Sequence, residues 1–462
     1  MNVIGDLAKA SPEQDTVGTI GAFDGVHRGH QALIGQVVER ARASSRLSTL
    51  ITFHPHPAAV LAPDRAPRYL TTPGEKAAIL ESLGVDLMVL LPFSREVART
   101  PARGFMEGLA QHLRLRELWV GADFALGRDR EGDVSCLREL GRELGYELHV
   151  FDLVIGGEVA ISSSRIRALL RDGCVEDAAQ LLGRYPGLSG EVALGAGRGQ
   201  SLGFPTANLD VRAERAVPAD GVYAVFAVLG AERYPAVANV GVRPSFDNDR
   251  RTIETHIFDC DQDIYGCDLV VEFVARLRDE RRFEEIDDLV NQIQQDNRRA
   301  RQILSSEMQG PGRGARVASG GQGPPVPCNY RYQEIEHTAD RALQVWGNEL
   351  PDLFAGAARG MYSLMADLDG LVATDWHEIR LEAGDRETLL VDWLNELLYL
   401  TEMEEVVFFQ YRVDLLSDTE LAARAGGGRV PLTKAHIKAA TFHNLAVVQG
   451  DSGWSAVITL DV

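Results

Sequence analysis

Thr19-Ile-Gly-Ala-Phe-Asp-Gly-Val-His-Arg-Gly-His30 is the stretch that decides how the first third of this chain reads. It starts at the end of an apolar run, residues 17–20, that suits a strand, and a helical pattern over residues 31–42 follows it. A strand that hands two imidazoles to a helix start makes a cradle for a nucleotide phosphate. The first amides of the helix are unpaired, the helix dipole favours negative charge, and glycines let the backbone come close. The histidines add hydrogen-bond donors where charge develops on an α-phosphate. Two histidines around a glycine also serve purely structural ends, so the longer Phe23-Asp-Gly-x-His-x-Gly-His30 carries more weight than its last four residues.

Outward from that turn, apolar runs at 49–53, 85–91, 118–121 and 147–153 alternate with amphipathic segments at 74–83, 101–113 and 134–144. The alternation predicts an α/β domain with a doubly wound parallel sheet, whose ligands bind at the carboxyl ends of the strands. Thr52-Phe-His-Pro-His-Pro57 and Gly121-Ala-Asp-Phe-Ala-Leu-Gly127 follow two such ends. Each is either part of the site or a loop that satisfies its own polar groups. Ile161-Ser-Ser-Ser-Arg-Ile-Arg167 is a second phosphate candidate. Its serines can cap a helix over 164–171, and Arg167 can grip phosphate oxygens bidentately; a plain cap with solvent-facing arginines is the alternative.

On these motifs, residues 17–182 resemble the FMN adenylyltransferase domain of the bifunctional riboflavin kinase/FAD synthetase family, within the nucleotidyltransferase superfamily. The resemblance implies that His27 and His30 stabilise the α-phosphate of ATP as FMN attacks it, while Ser163, Ser164 and Arg167 hold the outgoing phosphates. Gly21, Phe23, Asp24, Gly25, Gly29, His56 and Asp123 complete the implied nucleotide- and phosphate-binding set. His54 stands where the family has an acidic residue. Such chemistry forms no covalent enzyme intermediate and rests on positioning, Mg2+ and charge neutralisation. A nucleotidyltransferase for another phosphate ester, such as a pantetheine or nicotinamide nucleotide, is the competing reading. The domain is placed at residues 1–183.

The texture then changes. Residues 185–274 are Gly-rich with short alternating strands, such as 221–229 and 236–240, which predicts a small antiparallel β-barrel, placed with a closing helix over 283–304 in residues 184–304. A glycine-dense loop containing Gly197, Gly199 and Gly203 can present amides to phosphates, though it lacks the Walker lysine. Thr206 and Asn208 behind it supply hard oxygens suited to Mg2+. Asp261-x-Asp263-x-Tyr265-Gly266, with Glu272 beyond, imitates a calcium loop, but Tyr265 replaces a ligand and no helix pair flanks it, so it reads as a strand-end turn. This segment resembles the riboflavin kinase half of the same family through Gly203-Phe-Pro-Thr-Ala-Asn208, Ala238-Asn-Val-Gly-Val-Arg-Pro244 and Ile253-Glu-Thr-His-Ile-Phe258. The resemblance implies that Thr206 and Asn208 bind Mg2+ with ATP, and that Glu254 takes the proton from the riboflavin 5′-hydroxyl. On its own Glu254 reads equally as a solvent-facing strand carboxylate.

Residues 305–329 are dominated by Gly, Pro and Ser, the composition of a flexible linker. Residues 330–462 hold 10 Lys+Arg and 22 Asp+Glu, net −12 of the chain's −20. Helical patterns at 350–365 and 386–404, with strands at 341–346, 378–381, 436–441 and 455–461, predict an α+β domain. Asp340, Asp367 and Asp461 are three surface acids or, if the fold gathers them, a hard-cation site. Glu336-His-Thr-Ala-Asp340, Leu364-Met-Ala-Asp367, Trp393-Leu-Asn-Glu-Leu-Leu398, Lys438-Ala-Ala-Thr-Phe-His443 and Leu460-Asp461-Val462 resemble archease, the activator of the tRNA-splicing RNA ligase. That implies a divalent cation, such as Ca2+, on those three aspartates and the ligase as protein partner; this domain is not itself expected to be an enzyme.

The whole chain of 462 residues bears these readings out in composition: 45% apolar and 25% charged residues are ordinary for a globular protein. The acidic balance argues against direct nucleic-acid binding. No apolar run approaches the roughly 20 residues that span a bilayer, and five cysteines without a CxxC pair suit reduced thiols in the cytoplasm.

Overall fold

The computed structural model of the chain describes residues 1–151, 161–193, 204–242, 251–260, 264–281, 283, 285–309, 330–335, 341–368, 371–442, 445–450 and 453–462. They fall into two compact units. The first holds residues up to Pro186 together with Glu214–Ala219, and the second holds the other described residues up to Val462.

In the first unit, β1 (Asn2–Ile4), β2 (Thr16–Ile20), β3 (Leu47–His54), β4 (Leu87–Pro92), β5 (Leu115–Gly121) and β6 (Glu147–Phe151) form one sheet in the order β1-β4-β3-β2-β5-β6. Every pairing is parallel, as the alternation of strand and helix patterns predicts. All five residues of β2 are buried, because a parallel strand is covered on both faces and reads as a continuous run. The helices are α1 (Arg28–Ala43), α2 (Pro57–Leu61), α3 (Pro73–Ser82), α4 (Ala102–Leu113), α5 (Val134–Leu144), α6 (Ser163–Arg171) and α7 (Val175–Leu182). Ile51, Val89, Met106, Leu118 and Leu137 lie in its core. The chain leaves β2 for β3 on one side, while β5 lies on the other, so the strand order reverses at β2. The carboxyl ends at such a reversal are where sheets of this kind bind ligands.

Glu214–Ala219 joins this unit although it lies far along the chain. The Tyr69 amide donates to the Glu214 carbonyl at 2.7 Å and the Ala216 amide to the Tyr69 carbonyl at 2.9 Å. Arg215 meets Glu75 at 2.8 Å, both side chains only 2% exposed.

In the second unit, β7 (Gly187–Ala193), β8 (Ala207–Leu209), β9 (Gly221–Leu229), β10 (Glu232–Val242), β11 (Arg251–Ile257) and β12 (Asp268–Arg278) close an antiparallel barrel in the order β10-β11-β8-β7-β12-β9. Helix α8 (Ile286–Gln309) follows, so residues 305–309, expected in the linker, are helical. Beyond it, β13 (Tyr330–Ile335), β14 (Arg341–Gly347), β20 (Gly453–Asp461) and β18 (Ala439–Thr441) form a sheet, with β19 (Val448–Gly450) beside β20. A second sheet is β15 (Asp375–Glu382), β17 (Glu420–Gly428) and β16 (Val407–Leu416). Helices α9 (Leu350–Met365) and α10 (Arg386–Glu404) complete an α+β module. Helix α10 is apolar over more than one side. It buries Leu389, Leu390, Val391, Trp393, Leu394, Leu397 and Leu398, because it touches both sheets and α9. The strand expected over 436–441 contracts to β18, and Ile437 packs into the core instead. No described helix is long and apolar enough to cross a membrane. Cys136, Cys174, Cys260 and Cys267 are free thiols.

Candidate functional site

The chain leaves β2 at Ile20 and turns sharply, with φ of 46° at Phe23, 80° at Gly25 and 38° at Val26. Position 25 needs glycine twice over: its φ is left-handed, and an added Cβ would sit 2.7 Å from Leu70 Cδ1. His27 is the N-cap of α1, its Nδ1 accepting the His30 amide at 3.3 Å. That bond places the proton of the neutral ring on Nε2, free to donate to a ligand. The His27 and His30 rings stack with centroids 3.6 Å apart, and Phe23 packs its edge on His30 at 5.1 Å. Burial pushes the His27 imidazole down to about 4 and the His30 imidazole well below its ordinary value, His30 being lowered further by His27 and Lys76. Two neutral donors therefore wait at the helix start at pH 7. Among the described residues, the buried His30 Nδ1 has no hydrogen-bond partner.

The second phosphate candidate folds onto the same turn. Ser163 Oγ donates to the Asp24 carbonyl at 2.8 Å, and Arg167 bonds the Asp24 carboxylate and, at 2.7 Å, the Arg68 carbonyl. Asp24, expected among the phosphate-binding residues, is buried and its carboxylate is taken up inside the protein. It accepts the amides of Leu70 and Thr71 and the Thr71 hydroxyl as well. It therefore frames the turn, with Arg167 balancing its charge. One of the three serines caps the helix as expected: Ser162 accepts the Arg165 amide at 3.3 Å, and Ser163 and Ser164 begin the helix itself. His56 caps α2 through Nδ1, and Asp123 is exposed in the loop after β5. Both loops follow strands that flank β2, on the same sheet edge as the turn that carries Gly21, Gly25 and Gly29.

Three further residues were not singled out from the sequence. Lys76 Nζ donates to the Ala22 carbonyl at 2.7 Å and to Thr52 Oγ1 at 3.1 Å, and burial brings its ammonium down to about 8. Arg184 donates to the Gly25 carbonyl at 2.7 Å, and Gln31 to the Val26 carbonyl at 2.8 Å. The Thr72–Glu75 capping box at the start of α3 was readable as a helix start. That the following lysine points inward depends on the sheet above it.

In the barrel, Asn208 of β8 lies opposite Glu254 of β11, which in turn lies opposite Asn239 of β10. All three are half-buried and alternate with the buried Ala207, Leu209, Ile253 and Thr255, so they share the outer face. His256, two residues along that face, holds the Pro205 carbonyl through Nδ1 at 2.8 Å and packs on Phe204. This fastens the segment leading into Thr206 over β11. Two amides and a carboxylate thus gather on one surface, with Thr206 just before β8, a donor set that fits a hard cation and a base. Gly197, Gly199 and Gly203 lie outside the described residues. Glu272 of the imitation calcium loop pairs with Arg233 at 2.7 Å, and so is a barrel ion pair.

Asp340 and His443 lie outside the described residues. Asp367 is paired with Arg212 at 3.2 Å, and its carbonyl accepts from the same guanidinium at 3.1 Å. Asp461 lies exposed at the end of β20, opposite Ala439. Arg341, next to Asp340 in sequence, pairs with Leu460, next to Asp461. Among the described residues no three His, Cys, Asp or Glu form a metal cluster.

Family models match the chain in three places: FAD synthetase over residues 9–165, riboflavin kinase over 182–304 and the archease protein family over 332–462. The bifunctional riboflavin kinase/FMN adenylyltransferase of Escherichia coli strain K12 is 38% identical over 303 residues, 65% of this chain and 96% of that protein. Its counterpart in Bacillus subtilis strain 168 is 35% identical over 296 residues, 63% of this chain and 93% of that one. A crystal structure of a macrolide-efflux protein from Streptococcus pneumoniae superposes with a TM-score of 0.60 at 32% identity, over 65% of this chain and 98% of its own. The chain therefore belongs to the bifunctional riboflavin kinase/FMN adenylyltransferase family, with an archease-family segment following the two transferase domains.

Proposed function

We propose that the chain converts riboflavin to FMN and FMN to FAD with ATP, in the cytoplasm, where its free thiols persist. In the kinase step the riboflavin 5′-oxygen attacks the γ-phosphorus of ATP, ADP leaves, and Glu254 receives the hydroxyl proton. Thr206 and Asn208 would hold Mg2+, which supplies charge neutralisation along the phosphates. In the adenylyl step a phosphate oxygen of FMN attacks the α-phosphorus and pyrophosphate leaves. His27 Nε2–H and His30 donate to the oxygens that gain charge, and the amides of Gly29 and its neighbours at the start of α1 add to them. Ser163 and Arg167, close to the turn, steady the departing pyrophosphate. The observation that carries this reading is the stacked, neutral histidine pair at the N-terminus of α1, with Asp24 and Arg184 fixing the turn beneath it.

Riboflavin with ATP and Mg2+ should give FMN and then FAD in the presence of the full chain. Failure of both steps by a folded protein overturns the assignment. The C-terminal module is proposed to assist the guanylylation of a tRNA-splicing RNA ligase through a divalent cation on Asp340, Asp367 and Asp461. Alanine at Asp340 and Asp461 should abolish stimulation of the cognate ligase, and survival of stimulation in both variants sinks the cation site.

A further inference from the structure

The second unit contains a polar seam that neither transfer reaction uses. On the barrel side, Glu191 of β7 and Asp268 of β12 sit opposite each other in register. On the other side, the Tyr332 hydroxyl of β13 donates to Glu191 Oε2 at 2.6 Å. Arg359 of α9 reaches both carboxylate oxygens of Asp268, at 3.0 and 3.2 Å, and the Phe409 carbonyl at 3.1 Å. A third tie runs the opposite way in charge, from Arg212 after β8 to Asp367 after α9. The Arg359 side chain is only 12% exposed, so the guanidinium is largely removed from water in the docked arrangement. Burial also raises the Glu191 carboxyl and the Tyr332 phenol above their ordinary values. A buried guanidinium without its carboxylate is costly, which gives the arrangement a reason to persist.

We propose that this seam docks the archease-like module onto the riboflavin kinase barrel, making the barrel of the same chain its resident partner rather than leaving the module free on a Gly/Pro-rich connection. The charges are matched in both directions, with the Asp268 carboxylate of the barrel meeting the Arg359 guanidinium of the module and the Arg212 guanidinium of the barrel meeting the Asp367 carboxylate of the module. Opposed signs of this kind fix one register of docking and penalise others.

Small-angle X-ray scattering on the full chain tests this, with near-ultraviolet circular dichroism to establish that each variant is folded. The wild type should give one compact distance distribution. Asp268→Arg should broaden it and raise the maximum dimension, and combining it with Arg359→Asp should bring it back towards the wild type. Arg212→Glu, which reverses the other charged tie across the seam, serves as the independent single change and should also broaden the distribution. An extended wild-type distribution, or single changes that leave it unaltered, overturns the proposal. Synthesis of FMN and FAD should continue in Asp268→Arg, so a loss of docking is distinguishable from a failure of the flavin assignment.

Discussion

The adenylyl turn and the kinase face are assembled in opposite ways for related phosphate chemistry. Residues 21–27 form one continuous turn into α1, and its shape comes from left-handed backbone at Phe23, Gly25 and Val26 with Asp24, Lys76 and Arg184 bracing it. The kinase face comes from three strands whose register puts Asn208, Glu254 and Asn239 in a row. The first site is vulnerable to any change of backbone conformation but cannot slip. In the second, a shift of β11 by one residue would turn Glu254 into the barrel. If this contrast is right, the two sites should fail independently.

Three measurements press on that independence. Glu254→Gln should lower riboflavin phosphorylation by about 10²–10⁴-fold, the usual worth of a positioned base, while FAD formation from supplied FMN stays at the wild-type rate. An equal loss in both steps would end the contrast. His27→Asn should lower FAD formation by about 10²–10³-fold, the scale of one lost donor at a charged centre, and spare FMN formation. A smaller effect, confined to KM, would reduce His27 to a helix cap. The smallest effect is on stability. His27 is held to about 4 by burial against an ordinary 6.5, so the unfolded chain binds its proton first as pH falls. Wild-type stability relative to His27→Asn should therefore be constant above pH 6.5 and decline between pH 6.5 and about 4, by on the order of 1–3 kcal/mol. Denaturant unfolding at several pH values would read it, and a difference that ignores pH would show that the ring is not kept neutral.

What could be read from the sequence follows the same division. The parallel sheet, the turn and the helix after it were legible because long apolar runs and a dense motif lie within single segments. The doubly wound order places His56 and Asp123 on the same edge without any further signal. Lys76 and Arg184 were invisible, since each points to a carbonyl of a distant turn and nothing nearby in sequence marks that. Strand β17, Glu-Leu-Ala-Ala-Arg-Ala-Gly-Gly-Gly, was also missed. Its residues are poor strand formers, and it is extended because β15 and β16 pair with it on both sides. Ala207–Leu209 is too short to show an alternation, so Asn208 could be placed on the outer face only from its partners in β7 and β11. The bonds that fill Asp24 were illegible for a similar reason, because the amides of Leu70 and Thr71 that it accepts lie far from it in sequence.

The return of Glu214–Ala219 to the first unit has a consequence for how such a gene can change. A break after Pro186 would appear to separate an adenylyltransferase cleanly, yet it would strip Arg215 from Glu75 and leave a carboxylate 2% exposed without its cation. Losing one partner of such a pair costs roughly 3–5 kcal/mol, a large share of a domain's stability. Fission of the reading frame into two single-activity genes is thus opposed by the stitch itself, whereas addition of a further module after α8 leaves the Arg215–Glu75 pair intact. The architecture is open to extension at one end and closed to division in the middle.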